Sequence, residues 1–236
     1  MKNLSVFILL AAPLVFAGTV RAQTEISNWN FENTTLSGTP ATTSGFIPAD
    51  AGPGQAIGVH ALSSTFATPT GNGSAKAFNS LHWSVGDYYQ FEVPTLGYDH
   101  ILVTFNQISG TLGPAHFKLA TSTDGINFTD FTSYTVLENA SPNTWSSSIA
   151  VISTSYSKDL STVSSVSNAS TAYFRLIDTD TVAAGGGTVA ASGGSRIDNF
   201  SISGDPIAVP ESADVGWLAL ALAAGVIGGR RYFSCT

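Results

Sequence analysis

Alternation of apolar and polar side chains with a period of two runs through the middle of this 236-residue chain. From Asp87 to Val93, Tyr89, Phe91 and Val93 fall on one side and Tyr88, Gln90 and Glu92 on the other. Ile101, Val103 and Phe105 share a face, with Leu102 and Thr104 opposite, and Phe117, Leu119 and Thr121 alternate with Lys118 and Ala120. Successive side chains of a strand point to opposite faces of its sheet, so this pattern puts one face in a core and the other in water. Composition agrees. Val, Ile, Thr, Tyr and Phe favour strands. Charged residues are 11% of the chain, so the straight-chain ionic residues of amphipathic helices are scarce.

Pro and Gly punctuate the stretch from Thr39 to Gly73, which reads as loops carrying a few early strands, one of them Gln55 to His60. Ser122-Thr123-Asp124-Gly125 is a turn signal, and Phe128 to Val136 returns as its partner strand. Trp145 to Ile152 is expected to form another strand, Lys158 to Asn168 a polar crossover with one helical turn, and Thr179 to Gly194 a Gly/Ala-rich loop. Tyr173 to Ile177 and Ser195 to Ser203 supply the last strands. No fixed-period repeat is present, which excludes a solenoid or propeller. The expected fold is all-β: a two-sheet β-sandwich, jelly-roll-like, of eight to ten strands over residues 23–207.

Between residues 23 and 207 there are five basic and fourteen acidic residues. Such a surface repels phosphate backbones and excludes nucleic acid as a partner. It is compatible with divalent cations and with polysaccharide. The only cysteine is Cys235, outside this region, so the domain has neither a disulfide nor a thiolate metal site.

The two ends read as addresses. Met1-Lys2-Asn3 precedes an apolar run from Leu4 to Phe16, the form of a secretory signal over residues 1–22, with cleavage after Ala22 or Ala17. Val209-Pro210-Glu211-Ser212 precedes an apolar stretch from Val215 to Gly229, followed by Arg230-Arg231. The stretch is marginal against the ~20 residues of a bilayer span. Paired arginines stay cytoplasmic by the positive-inside rule, which faces the domain outward.

Val209, Pro210, Glu211, Arg230 and Arg231, spaced by an apolar helix, resemble the PEP-CTERM sorting signal over residues 209–236, with Ser212 where Pro often follows. The resemblance implies a Gram-negative-type envelope, a transmembrane sorting helix held in the inner membrane, and processing by an exosortase that takes this chain as substrate. It implies export to the cell surface or an extracellular polysaccharide matrix. A plain C-terminal anchor and a GPI signal explain the same tail; the arginine pair fits the latter poorly.

The segments LHWSVGDYYQFEV, KLATSTDGINFTDF, YFRL and RIDNFSISG resemble the β-sandwich domains that precede such tails and carbohydrate-binding jelly rolls. That resemblance implies a structural Ca²⁺ tying the first strand to the last, for which Asn30, Glu32 and Asp198 are the candidate oxygen ligands. It also implies sugar stacking. Tyr88, Trp83 and Trp145 are the candidate platforms, with Trp29 a fourth large aromatic; large aromatics are more often core than platform, and each reads more simply as core. Tyr88 alternates opposite the inner face.

Signs of catalysis are sparse. Glu32, Asp87, Glu92 and Asp99 show no spacing that marks a glycosidase pair. His60, His82, His100 and His116 are scattered, and no nucleophile elbow occurs. The expectation is a non-catalytic surface or matrix protein, with a carbohydrate-binding module as the alternative and a secreted hydrolase behind both.

Overall fold

The computed structural model describes residues 22–208. The expected signal segment, the sorting motif and the transmembrane helix lie outside these residues, apart from Ala22. Among the described residues no helix is long and apolar enough to cross a membrane.

Thirteen strands follow one another: β1 Thr24–Trp29, β2 Ala41–Thr43, β3 Ile47–Pro48, β4 Gln55–Ser64, β5 Phe66–Ala67, β6 Phe78–Ser80, β7 Tyr88–Val93, β8 Tyr98–Ser109, β9 His116–Ser122, β10 Thr129–Thr135, β11 Ser155–Asp159, β12 Ala172–Asp178 and β13 Ser195–Pro206. They build two antiparallel sheets. The first has the order β11-β8-β13-β6-β5, with β1 also on β13; the second has β10-β9-β12-β7-β4-β2, with β3 on β4. The count exceeds the expected eight to ten because β2, β3, β5 and β6 are only two or three residues long.

The alternation read in the sequence sets the core. Tyr89, Phe91, Val93, Ile101, Val103, Phe105, Phe117 and Leu119 all face inward and are buried. Phe91 of one sheet stacks on Phe200 of the other at 3.4 Å between ring centres, and Trp29 meets both edge-on at 5.1 and 5.9 Å. The two edge-to-face pairs of Trp29 add stability beyond area burial.

Gly58 lets this core close. It faces inward on β4, and a Cβ there would stand 2.7 Å from Phe66 Cε1 and 3.0 Å from Phe78 Cζ. Gly58→Ala is therefore expected to cost roughly 1–3 kcal/mol by overpacking. A denaturant midpoint equal to that of the parent chain would show that the two rings yield instead.

One expected strand is corrected. Trp145 to Ile152 forms no strand; residues 146–150 are bends and coil, and Ile152–Thr154 is a 3-10 turn. Ser146–Ser148 give the segment no apolar face, so a sheet position gains it nothing. Instead Trp145 alone is buried, against Ala77 and Ile108, while Ile149 and Ile152 are exposed. The expected polar crossover begins as β11 and carries its helical turn at Ser164–Val166.

The partners of β13 change midway. β6 pairs with Ser195–Ile197, and β1 pairs with Phe200–Gly204 on the same side. Between them the ladder to β8 breaks between Asp198 and Ser201, with Asn199 at φ 49°. Asp198 thus sits where β13 has no strand neighbour on that side, open to a loop.

Candidate functional site

The outer face of the second sheet gathers the polar and aromatic side chains that β7 and β12 turn away from the core. The register places Arg175 opposite Gln90, Tyr173 opposite Glu92 and Ile177 opposite Tyr88. The Arg175 guanidinium carbon lies 4.0 Å from the Tyr88 ring centre and 3.6 Å from that of Phe128. Its Nε donates to Gln90 Oε1 at 2.7 Å, and Gln55 Nε2 donates to Glu92 Oε2 at 2.9 Å. Phe128 arrives from the β9–β10 hairpin, whose turn holds Gly125 at φ 71°. Asp124 caps that turn. Hydrogen bonds from Asn127, Ile126 and Ser122 hold its carboxyl well below the usual range. Burial raises the Tyr173 phenol and lowers the Arg175 guanidinium from their ordinary values. No carboxylate pairs with Arg175 among the described residues. The result is a half-buried patch of rings, amides and a rigidly held cation, which together offer π-faces, donors and acceptors to a polyhydroxylated ligand.

Two of the expected platforms do not belong to this patch. Trp83 is 5% exposed and packs edge-on against Tyr89 and Phe117, its indole N–H donating to the Ser80 carbonyl at 2.9 Å. Trp145 is 4% exposed, its N–H donating to Thr154 Oγ1 at 2.9 Å. Both are core residues with their one donor satisfied, and neither offers a face to solvent. Trp29 is likewise buried, bonded to the Ile47 carbonyl. Of the aromatics singled out in the sequence, Tyr88 alone is half-exposed.

The expected cation ligands meet in part. Glu32 Oε1 accepts from the Lys76 amide at 2.9 Å. Asp198 Oδ2 accepts from the Asn72 amide at 2.8 Å and from Ser74 Oγ at 2.6 Å, and its Oδ1 from the Asn199 amide at 2.8 Å. Burial pushes the Asp198 carboxyl up to about 6, with the Glu32 carboxylate adding to the rise. A Cβ at Gly71 would collide at once with Ser74 Oγ, the Lys76 carbonyl and Asp198 Oδ2. Three oxygens, one of them from Asp198 itself, thus converge on a cradle that only glycine leaves open, with the Glu32 carboxylate close enough to act on Asp198. Hard oxygens of mixed carboxylate, hydroxyl and carbonyl type are the donor set Ca²⁺ takes. Asn30 departs from expectation: its side-chain oxygen accepts from the Glu32 amide at 3.1 Å and caps its own loop. A second acidic group, Asp99, His100 and Asp205, is surface ion pairing around an exposed imidazole.

One interior trio has the order of a nucleophilic triad. Ser80 Oγ stands 3.0 Å from His60 Nε2, and His60 Nδ1 stands 2.9 Å from Asp87 Oδ2. Ser80 is fully buried, and its hydroxyl continues to Tyr89 OH and on to the Ser195 carbonyl. A nucleophile must reach a substrate carbon; this one cannot, so the trio ties β4 and β6 to the residue that leads into β7. Burial raises the Tyr89 phenol far above its ordinary value. Among the described residues two carboxyls are displaced upward, Asp198 and Asp178, and both are buried.

No family model matches the chain. No curated protein matches it either. Solved structures similar to it include the K1 cleaved adhesin domain of Lys-gingipain from Porphyromonas gingivalis W83, at 16% identity and TM-score 0.39, covering 77% of this chain and 99% of that one. The CBM22-1–GH10 modules of Clostridium thermocellum xylanase 10B, complexed with xylohexaose, are similar at 13% identity and TM-score 0.43, over 80% of this chain and 30% of that one. TmCBM61 in complex with β-1,4-galactotriose is similar at 12% identity and TM-score 0.33, over 73% and 92%. At these TM-scores the likenesses carry no argument about function.

Proposed function

We propose that this chain is an exported, non-catalytic surface protein whose jelly-roll-like sandwich binds carbohydrate on the outer face of its second sheet. The observation that carries this reading is the Arg175 guanidinium held between Tyr88 and Phe128 and tied to Gln90. A long cation ordered in this way loses little further freedom on binding; its Nη2 reaches only the Gly125 carbonyl, at 3.5 Å, and no carboxylate among the described residues pairs with it. Sugar rings present hydroxyls to such donors and C–H faces to the adjoining rings. The partner is extracellular polysaccharide. Structural Ca²⁺ at Glu32 and Asp198 supports the fold. Residues 209–236 act as a sorting segment, with Val209-Pro210-Glu211 and Arg230-Arg231 addressing the chain through the inner membrane to an exosortase-type enzyme.

Glycan-array and pull-down binding of the full-length chain tests the sugar face. Tyr88→Ala and Arg175→Gln are each expected to lower polysaccharide binding at least tenfold, with the melting temperature changed by no more than a few degrees. Binding that survives both changes removes this face from consideration. Sorting is tested separately, by intact-mass analysis of surface material from the native host. Loss of the residues following Glu211 is expected, and a full-length mass argues for a plain anchor.

A further inference from the structure

A second pocket lies on the other sheet. Arg196 and Asn79 are cross-strand neighbours of β13 and β6 whose side chains point outward from the first sheet. They line a pocket of about 250 Å³ with Ala67, Pro69, Leu81 and Gly110. No acidic side chain borders it. Gly194 brings the chain close beneath these side chains: a Cβ there would stand 2.8 Å from Leu81 Cδ2 and 2.9 Å from Asn79 Oδ1.

Its two polar side chains have few protein partners. Asn79 is 8% exposed, and its carboxamide makes no hydrogen bond among the described residues. Arg196 makes one long contact, Nη1 to the Thr70 carbonyl at 3.4 Å, and pairs with no carboxylate. The donor and acceptor of the Asn79 amide are thus free for a ligand or water entering the pocket. An unpaired guanidinium is notable here, since acidic residues outnumber basic ones in the domain almost three to one. The planar fork of Arg matches a carboxylate in bidentate fashion. Beside it, Ala67, Pro69 and Leu81 form an apolar wall. The volume is just under the ~300–1,000 Å³ of drug-sized ligand pockets, which suits one sugar unit.

We propose that this pocket binds a single uronate unit, with the carboxylate on Arg196, a hydroxyl or ring oxygen on Asn79, and the sugar's C–H face against Pro69 and Leu81. The site is distinct from the Tyr88 face, lies on the opposite sheet, and adds an acidic sugar to the range of ligands.

Titration calorimetry of the full-length chain with D-galacturonate, D-glucuronate, their methyl esters, galactose and acetate tests it. A uronate is expected to bind at least tenfold more tightly than its methyl ester and than galactose, and binding weakens as salt is raised. Arg196→Gln is expected to reduce uronate binding at least tenfold. Gly110→Leu fills the pocket without backbone strain, since a Cβ at Gly110 has its nearest neighbour at 3.8 Å, and is expected to abolish binding. Tyr88→Ala leaves it unchanged, which separates this site from the other face. Absence of uronate binding, or uronate binding unaffected by Gly110→Leu, overturns the proposal. Acetate binding as tight as uronate binding overturns its sugar part.

Discussion

Asp178→Asn is expected to stabilise the domain at pH 8 and to leave it nearly unchanged below pH 4. Asp178 ends β12 on its inner face, in line with Phe174 and Leu176, and is 1% exposed. Neither carboxyl oxygen has a hydrogen-bond partner of ordinary geometry, although the amides of Thr179 and Asp180 approach it. Burial pushes the carboxyl up from 3.8 to about 7, and the carboxylates of Asp180 and Asp87 add to the rise. Those two carboxylates are engaged with imidazoles of their own, His116 and His60. The sign follows from proton counting. Between 3.8 and about 7 the unfolded chain has released this proton and the native one has kept it, so stability falls as pH rises through that window and levels off above it. At roughly 1.4 kcal/mol per pKa unit the ceiling is about 4 kcal/mol. Relaxation and water entry lower it, and an increase of roughly 5–10 °C in melting temperature at pH 8 is expected for the Asn variant. Thermal melts of both chains from pH 4 to pH 9 measure the difference directly. A difference that stays constant across that range sinks the argument.

The parts of this molecule legible in its sequence are those where the two faces of one strand differ in chemistry. β7, β8, β9 and β12 each show the alternation that puts Tyr89, Val103, Leu119 and Phe174 inward. β5 and β6 show none, because two- and three-residue strands are made by their neighbours, Phe78 through Ser80 simply completing the edge of β13. The fate of the tryptophans depended on what covers them. Nothing local distinguishes Trp145 as core from Trp145 as platform until residues 137–151 are folded against Ile108. The resemblance to jelly rolls names Asn30, Glu32 and Asp198 together, because β1 and β13 bring the chain's beginning and end to one place. Ser74 and the Lys76 carbonyl were not, since a main-chain oxygen has no signature in a sequence and the bend at Gly71 looks like any loop glycine. Arg175 escaped notice for a related reason. Its environment requires the β7–β12 register and the hairpin that brings Phe128 over it, and no contiguous segment contains all three residues.

Calcium is expected to raise the melting temperature of the full-length chain, and EDTA to lower it, by roughly 5–10 °C. Linkage sets the size: an ion present at a hundred times its dissociation constant adds about 2.7 kcal/mol when it binds only the folded state. A domain of this length moves about 2–4 °C per kcal/mol. The geometry sets the location. Asp198 lies where β13 passes from β6 to β1, Glu32 follows β1, and the loop carrying Gly71, Ser74 and Lys76 fills the opening between them. Without a cation, that arrangement keeps a buried carboxylate beside a second anion, a cost that hydrogen bonds from Asn72, Ser74 and Asn199 offset only in part. A divalent ion neutralises both and fastens three separate segments at once. Asp198→Asn and Glu32→Gln should therefore each abolish most of the calcium-dependent increment. Asn30→Ala should retain it, because the Asn30 oxygen is turned to its own loop. Mg²⁺ should substitute poorly, since it demands a tighter octahedral shell and dehydrates reluctantly. If the melting temperature is the same in calcium and in EDTA, the cradle at Gly71 holds no ion, and Ser74 and the loop amides alone must carry the buried charge of Asp198.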